Sequence, residues 1–190
     1  MSYKLYMLLL GCKPAGRNIE QHDICFGIGS SLNDLVPQIE KFWPEAGKIH
    51  IDCWREVTNV DGYQIKITEA INKKIDSTKK LFFINLGGYK ENDFEEYHYK
   101  IVQVADNKSD AIQLAKQTAF YEHMRFKGAE SHIDDKYGID VDDIYEIADI
   151  LPIELKQQFH ISIEQVSNNE EKDELHPGYT KLSGLILNSN

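Results

Sequence analysis

The chain has 190 residues, 42% of them hydrophobic and 11% aromatic, with 21 Lys and Arg against 31 Asp and Glu for a formal net charge of −10. That is enough apolar material to build one large domain or two small ones, while an acidic surface repels the phosphate backbone and argues against nucleic acid as a partner. The strongest apolar run, LYMLLLGC, is far too short to cross a bilayer and lacks the flanks of a signal peptide, so neither a membrane nor export is expected and the chain reads as cytoplasmic.

The charge is unevenly spread. Residues 1–79 carry ten basic and ten acidic side chains, so the eleven basic and twenty-one acidic side chains of residues 80–190 supply the whole imbalance. Cys12, Cys25 and Cys53 form no CxxC pair and sit in apolar, strand-like contexts, which reads as reduced, buried thiols.

In chain order, KLYMLLLGC (4–12) is apolar on both alternating faces, as a central strand buried on two sides would be, ending at Gly11. The following GCKPAGRN has the glycine spacing of a phosphate loop. It lacks the lysine and the hydroxyl that give that motif its mechanism, and a strand-like stretch follows it, so no nucleotide is expected. HDICFGIG then sets His22, Ile24, Phe26 and Ile28 on one face. Next the period becomes helical: Leu32, Leu35, Val36, Ile39, Phe42 and Trp43 make one apolar stripe, with Ser31 or, preferably, Asn33 as N-cap. KIHIDCWREV alternates again, with His50, Asp52, Trp54 and Glu56 pointing one way, and GYQIKIT makes a fourth strand.

The same skeleton returns. KLYMLLLGC is echoed by KLFFINLGG (80–88) and EQHDICFGI by EYHYKIVQV (96–104), both 76 positions on, with a matching helix from Ser109. His50, Asp52, Asp61, Tyr63 and Ile65 are echoed by His132, Asp134, Asp143, Tyr145 and Ile147, 82 positions on. The expected fold is therefore α+β: a tandem duplication of a strand-strand-helix-strand-strand unit, each a mostly antiparallel sheet with one helix packed on it. The expected boundaries are a first unit at 1–79, a second at 80–166, and an acidic loop with a C-terminal extension at 167–190.

Chemistry concentrates on the paired histidines. Glu20-x-His22 and His50-x-Asp52 each place a carboxylate beside an imidazole on one strand face, which suits a metal half-site or a general base held by its orienting carboxylate. The same pairs serve equally well as hydrogen-bonded ties between strands. Trp54 reads as an interface anchor or the floor of a pocket, and Asp61-Gly62-Tyr63 as a turn leading into a strand, with Asp61 and Tyr63 as further ligand-binding candidates.

LLLGCKPAGRNIEQHDICFGIG, KIHIDCWREV and VDGYQI together resemble the domain of unknown function family 1543, over most of residues 4–67 and more faintly over 80–147. The resemblance implies a small bacterial protein with one or two copies of the unit. It carries over no activity and no catalytic residue. The second copy departs from the pattern, since Tyr99 follows His98 where Asp23 follows His22.

Two functions of different class follow from these residues. One is a non-enzymatic module that binds a small ligand or a protein, itself a possible homodimer, with no cofactor required. The other is a small metal-dependent or acid-base enzyme using Glu20, His22, His50 and Asp52.

Overall fold

The computed structural model describes residues 2–72, 78–89, 94–124, 139–166 and 172–187. The chain divides into two compact units, Met1–Asp76 with Leu151–Asn190, and Ser77–Ile150.

The first unit contains β1 (Lys4–Cys12), β2 (Gln21–Gly29), a 3-10 turn (Leu32–Leu35), α1 (Val36–Phe42), β3 (His50–Val57), β4 (Asn59–Val60) and β5 (Tyr63–Glu69). The second contains β6 (Lys80–Tyr89), β7 (Glu96–Ala105), α2 (Lys108–Met124), β8 (Ile139–Glu146) and the short α3 (Ile147–Ile150). The chain then returns to the first unit with α4 (Ile153–Gln158), β9 (Phe159–Gln165), β10 (His176–Lys181) and α5 (Leu182–Leu187). Every strand pairing is antiparallel, so the α+β expectation holds.

This return moves the expected boundary at 166. Strand β9 pairs with β5 from Glu69↔Phe159 to Tyr63↔Gln165, and β10 pairs with β3 at the edge of the main sheet, so residues 151–187 complete the first unit. The Asp173 carboxylate anchors the chain just before β10. It accepts hydrogen bonds from the Thr58 hydroxyl at 2.6 Å and from the backbone N–H groups of Thr58 and Asn59 at 3.0 and 3.1 Å.

In the first unit the sheet order is β10-β3-β1-β2, with β4-β5-β9 as a separate three-stranded sheet. Strand β1 is central because both its faces are apolar, and Leu5, Leu8 and Leu10 are all buried. Tyr6, Leu8, Leu10, Cys25 and Ile51 form one face of the sheet and pack with Leu35, Val36 and Ile39 of the helical segment. Gly27 and Gly29 let that segment approach: a Cβ at either would come within 3.0 Å of the side chains of Gln38 or Asp34.

The helix begins at Ser31 rather than Asn33. Ser31 and Asp34 form a reciprocal capping box, the Asp34 carboxylate accepting from the Ser30 hydroxyl at 2.7 Å and the Ser31 N–H at 3.1 Å, while Pro37 falls at the start of α1 where no N–H is needed. In the second unit the cap is likewise two residues earlier than expected. Asn107 Oδ1 accepts from the Asp110 N–H at 3.0 Å, and its amide donates to the Asp110 carboxylate at 2.8 Å.

The second unit is a three-stranded sheet of order β7-β6-β8. Phe82, Ile84 and Leu86 pack with Ala111 and Ala115 of α2. Its first two strands pair as β1 and β2 do, 76 positions on: Gly11↔His22 is matched by Gly87↔His98.

The third strand corrects the expected echo. Gly11 faces His50 and Gly87 faces Asp140, with a bulge one residue earlier on each central strand, between Leu9 and Leu10 and between Asn85 and Leu86. The matching shift is thus 90, not 82: Asp142 stands where Asp52 does, and Asp143 and Tyr145 occupy the places of Cys53 and Arg55. His132 and Asp134 lie outside the described residues. What recurs among the described residues is strand, strand, helix, strand; β5 finds its partner in β9 of its own unit, so the five-element duplication is not established. No helix among the described residues is long and apolar enough to cross a membrane.

Candidate functional site

The site begins with a glycine. Gly11 does not end β1, which continues to Cys12, and a glycine inside a central strand weakens it unless something needs the space. Here something does. A Cβ on Gly11 would lie 2.4 Å from Asp52 Oδ2 and 2.5 Å from His50 Nε2.

Both side chains reach this spot because of the bulge in β3. Leu10 pairs with Ile51 and Leu9 with Cys53, leaving Asp52 as the extra residue. A bulge re-aims a side chain, and Asp52 is turned over Gly11 beside His50. From the other side β2 sets His22 opposite Gly11, and Glu20 lies just before that strand.

Four candidates therefore meet. His50 Nε2 stands 3.0 Å from Glu20 Oε1 and 3.2 Å from Asp52 Oδ1; His22 Nε2 stands 3.3 Å from Asp52 Oδ2 and 3.7 Å from Glu20 Oε2. Each carboxylate turns one oxygen to each imidazole. The cluster has a closed and an open end, because the His50 side chain is 9% exposed and Asp52 25%, whereas Glu20 and His22 are 44% and 45% exposed.

The proton count is informative. Two Nε2 atoms carry at most two protons for four carboxylate oxygens within 3.7 Å, and the buried Asp52 Oδ2, though 3.3 Å from His22 Nε2, makes no well-formed hydrogen bond. Two carboxylates and two neutral imidazoles sum to a charge that a divalent cation would cancel. Donor atoms around a tetrahedral ion at about 2.0–2.1 Å all stand roughly 3.3 Å from one another, whereas here each short distance joins a different carboxylate oxygen to an imidazole. The contacts run pairwise round a ring, so loading an ion needs each carboxylate to turn one oxygen inward.

Two residues beside the cluster have no signal in the local sequence pattern. Tyr179 of β10 lays its ring against His50, with centroids 4.4 Å apart, and stays 63% exposed at the edge of the site. Cys12 is buried next to Gly11, and burial together with the Glu20 charge pushes its thiol above its usual pKa. Cys25 is pushed up to about 12, first by burial and then by Asp23, and all three cysteines are free thiols.

Other candidates fall elsewhere. The bulge reverses the alternation after Asp52, so Trp54 turns to the helix-bearing face, where it packs against the core and stacks on His176 at 3.9 Å. It does not share a face with His50, as strict alternation predicts. Asp61 and Gly62, with φ of 52° and 79°, form the two-residue turn between Val60 and Tyr63, the primed geometry that Asp-Gly favours, so Asp61 and Tyr63 belong to the β4-β5 hairpin.

No curated protein matches the chain. A solved structure, "Crystal structure of a protein Il1583 from Idiomarina loihiensis", is similar with a TM-score of 0.58 and 24% identity over 95% of this chain and 97% of that one, a likeness of fold. A family model described as Domain of Unknown Function (DUF1543) matches residues 17–67, the segment that contains Glu20, His22, His50 and Asp52, and so bears out over that span the resemblance carried by the quoted blocks.

Proposed function

We propose that the protein is a binding module whose first unit holds one divalent transition-metal ion through His22, His50, Glu20 and Asp52. The observation that carries this reading is the approach of two imidazole Nε2 atoms to the oxygens of two carboxylates beside Gly11, with Asp52 Oδ2 buried and short of a well-formed hydrogen bond. Two nitrogen and two oxygen donors suit an ion of the zinc or iron class, and the exposed Glu20 and His22 leave the ion open to a further ligand on that side. Catalysis is not part of the proposal.

Elemental analysis of the purified protein after zinc loading and desalting tests it. His50→Ala is expected to remove one zinc equivalent. Protein that retains no zinc, or that retains as much after His50→Ala, overturns the reading and leaves the four side chains as a tie between strands.

A further inference from the structure

The second unit repeats the essential placement with a different set of donors. Gly87 lies inside β6, opposite His98 on β7, and the bulge in β8 leaves Asp142 as its extra residue. Asp142 leans over that glycine: a Cβ at Gly87 would meet its Oδ2 at 2.3 Å and its Cγ and Oδ1 at 2.8 Å. His98 Nε2 stands 3.2 Å from Asp142 Oδ2. Glu96 completes the group, and one donor atom from each of Glu96, His98 and Asp142 lies within 4.8 Å of the others.

We propose that these three residues form a separate divalent-cation site, with a weaker preference for zinc over harder ions of the manganese class than the first site has. The donor chemistry sets the selectivity. The residue opposite Gly87 on β8 is Asp140, so the register that supplies the imidazole of His50 in the first unit supplies none here. One nitrogen with carboxylate oxygens favours an ion content with oxygen and water, whereas two imidazoles favour zinc. His98 and Asp142 are both about one-third exposed, with side-chain exposures of 35% and 30%, leaving room for the waters such an ion retains. The glycine is the second mark of a built site. Asp142 packs onto a backbone position that carries no side chain, as Asp52 does over Gly11.

The proposal rests on the first-site reading only for the analogy of placement, and the two fail separately. The full chain, stripped of metal with a chelator, is titrated with Mn²⁺ while the free ion is followed by its paramagnetic resonance signal. Wild type and the His22→Ala/His50→Ala variant are expected to bind one Mn²⁺ alike. His98→Ala, and independently Gly87→Ala, which keeps every donor, are each expected to weaken that binding at least about tenfold. A Cβ at Gly87 meets only the far end of one side chain, so the thermal midpoint of that variant should hold. No Mn²⁺ binding by wild type, or binding that His98→Ala leaves unchanged, overturns the proposal even if the zinc equivalent is present. Conversely, a zinc content that His50→Ala leaves unchanged defeats the first-site reading and leaves this one standing.

Discussion

In the first unit Gly11 lies between His22 and His50, and in the second Gly87 lies between His98 and Asp140. The helices differ as well. Leu35 and Ile39 press on the first sheet, whereas 76 positions on Ala111 and Ala115 take their places, and the volume is made up from the strands, where Ile101 stands in the position of Cys25. The two units thus keep backbone devices, the glycine, the bulge and the helix cap, while exchanging side chains around them. Such devices cannot be traded residue by residue, because a glycine or a bulge sets where everything near it points.

The core exchange is open to a direct test. Leu35→Ala should cost about 2–5 kcal/mol in urea unfolding, the usual range for emptying a buried leucine site. Adding Cys25→Ile, which imitates the second unit, should recover part of it; a double variant no more stable than the single one would break the volume argument.

Next comes the glycine. Gly11→Ala retains all four donors yet should lower zinc affinity about tenfold to a hundredfold, because the new Cβ displaces Asp52 and His50 together. Since His50 is buried, this variant is expected to lose some stability also, in contrast to Gly87→Ala, and comparing the two midpoints sharpens the difference between the sites.

A smaller effect belongs to the Asp173 anchor, which has no counterpart among the described residues of the second unit. Asp173→Ala leaves the Thr58 hydroxyl and two backbone N–H groups without their acceptor and should cost about 1–3 kcal/mol by denaturant titration. The smallest is the helix cap. Hydrogen bonds from the Ser30 hydroxyl and the Ser30 and Ser31 N–H groups hold the Asp34 carboxyl below its ordinary pKa. A carboxyl depressed in the folded state contributes stability above its unfolded pKa and loses it as pH falls through the folded one. Asp34→Asn should therefore cost about 0.5–1 kcal/mol near neutrality, and the gap to wild type should close in acid.

Much of the fold was legible where pattern is local. Two-sided apolar runs gave β1 and β6, the change of period gave both helices, and Asp61-Gly62 gave its turn. The third strand of the second unit was misplaced because a coincidence of Asp, Tyr and Ile spacing suggested a shift of 82, whereas the pairing follows the bulge opposite Gly87. The partnership of β5 with β9 left no trace in either segment, since pairing between distant strands is decided by which edges are vacant. The site was legible as a set of residues, because Glu-x-His and His-x-Asp put donors on shared faces. Its foundation was not: Gly11 read as the end of a strand, and only the pairing shows that β1 runs past it.

The return of the chain to its first unit has a consequence for biosynthesis. Thr58 and Asp173, joined in the finished structure, are 115 positions apart, and β5 waits for β9 across the whole of the second unit. At about 5–20 residues per second, a ribosome takes roughly 5–20 s to deliver what lies between, during which the edges of β3 and β5 stay bare. The contiguous unit emerges complete in that interval and can mature first, leaving the first unit as the last part of the nascent chain to be secured and the first to suffer if synthesis stalls.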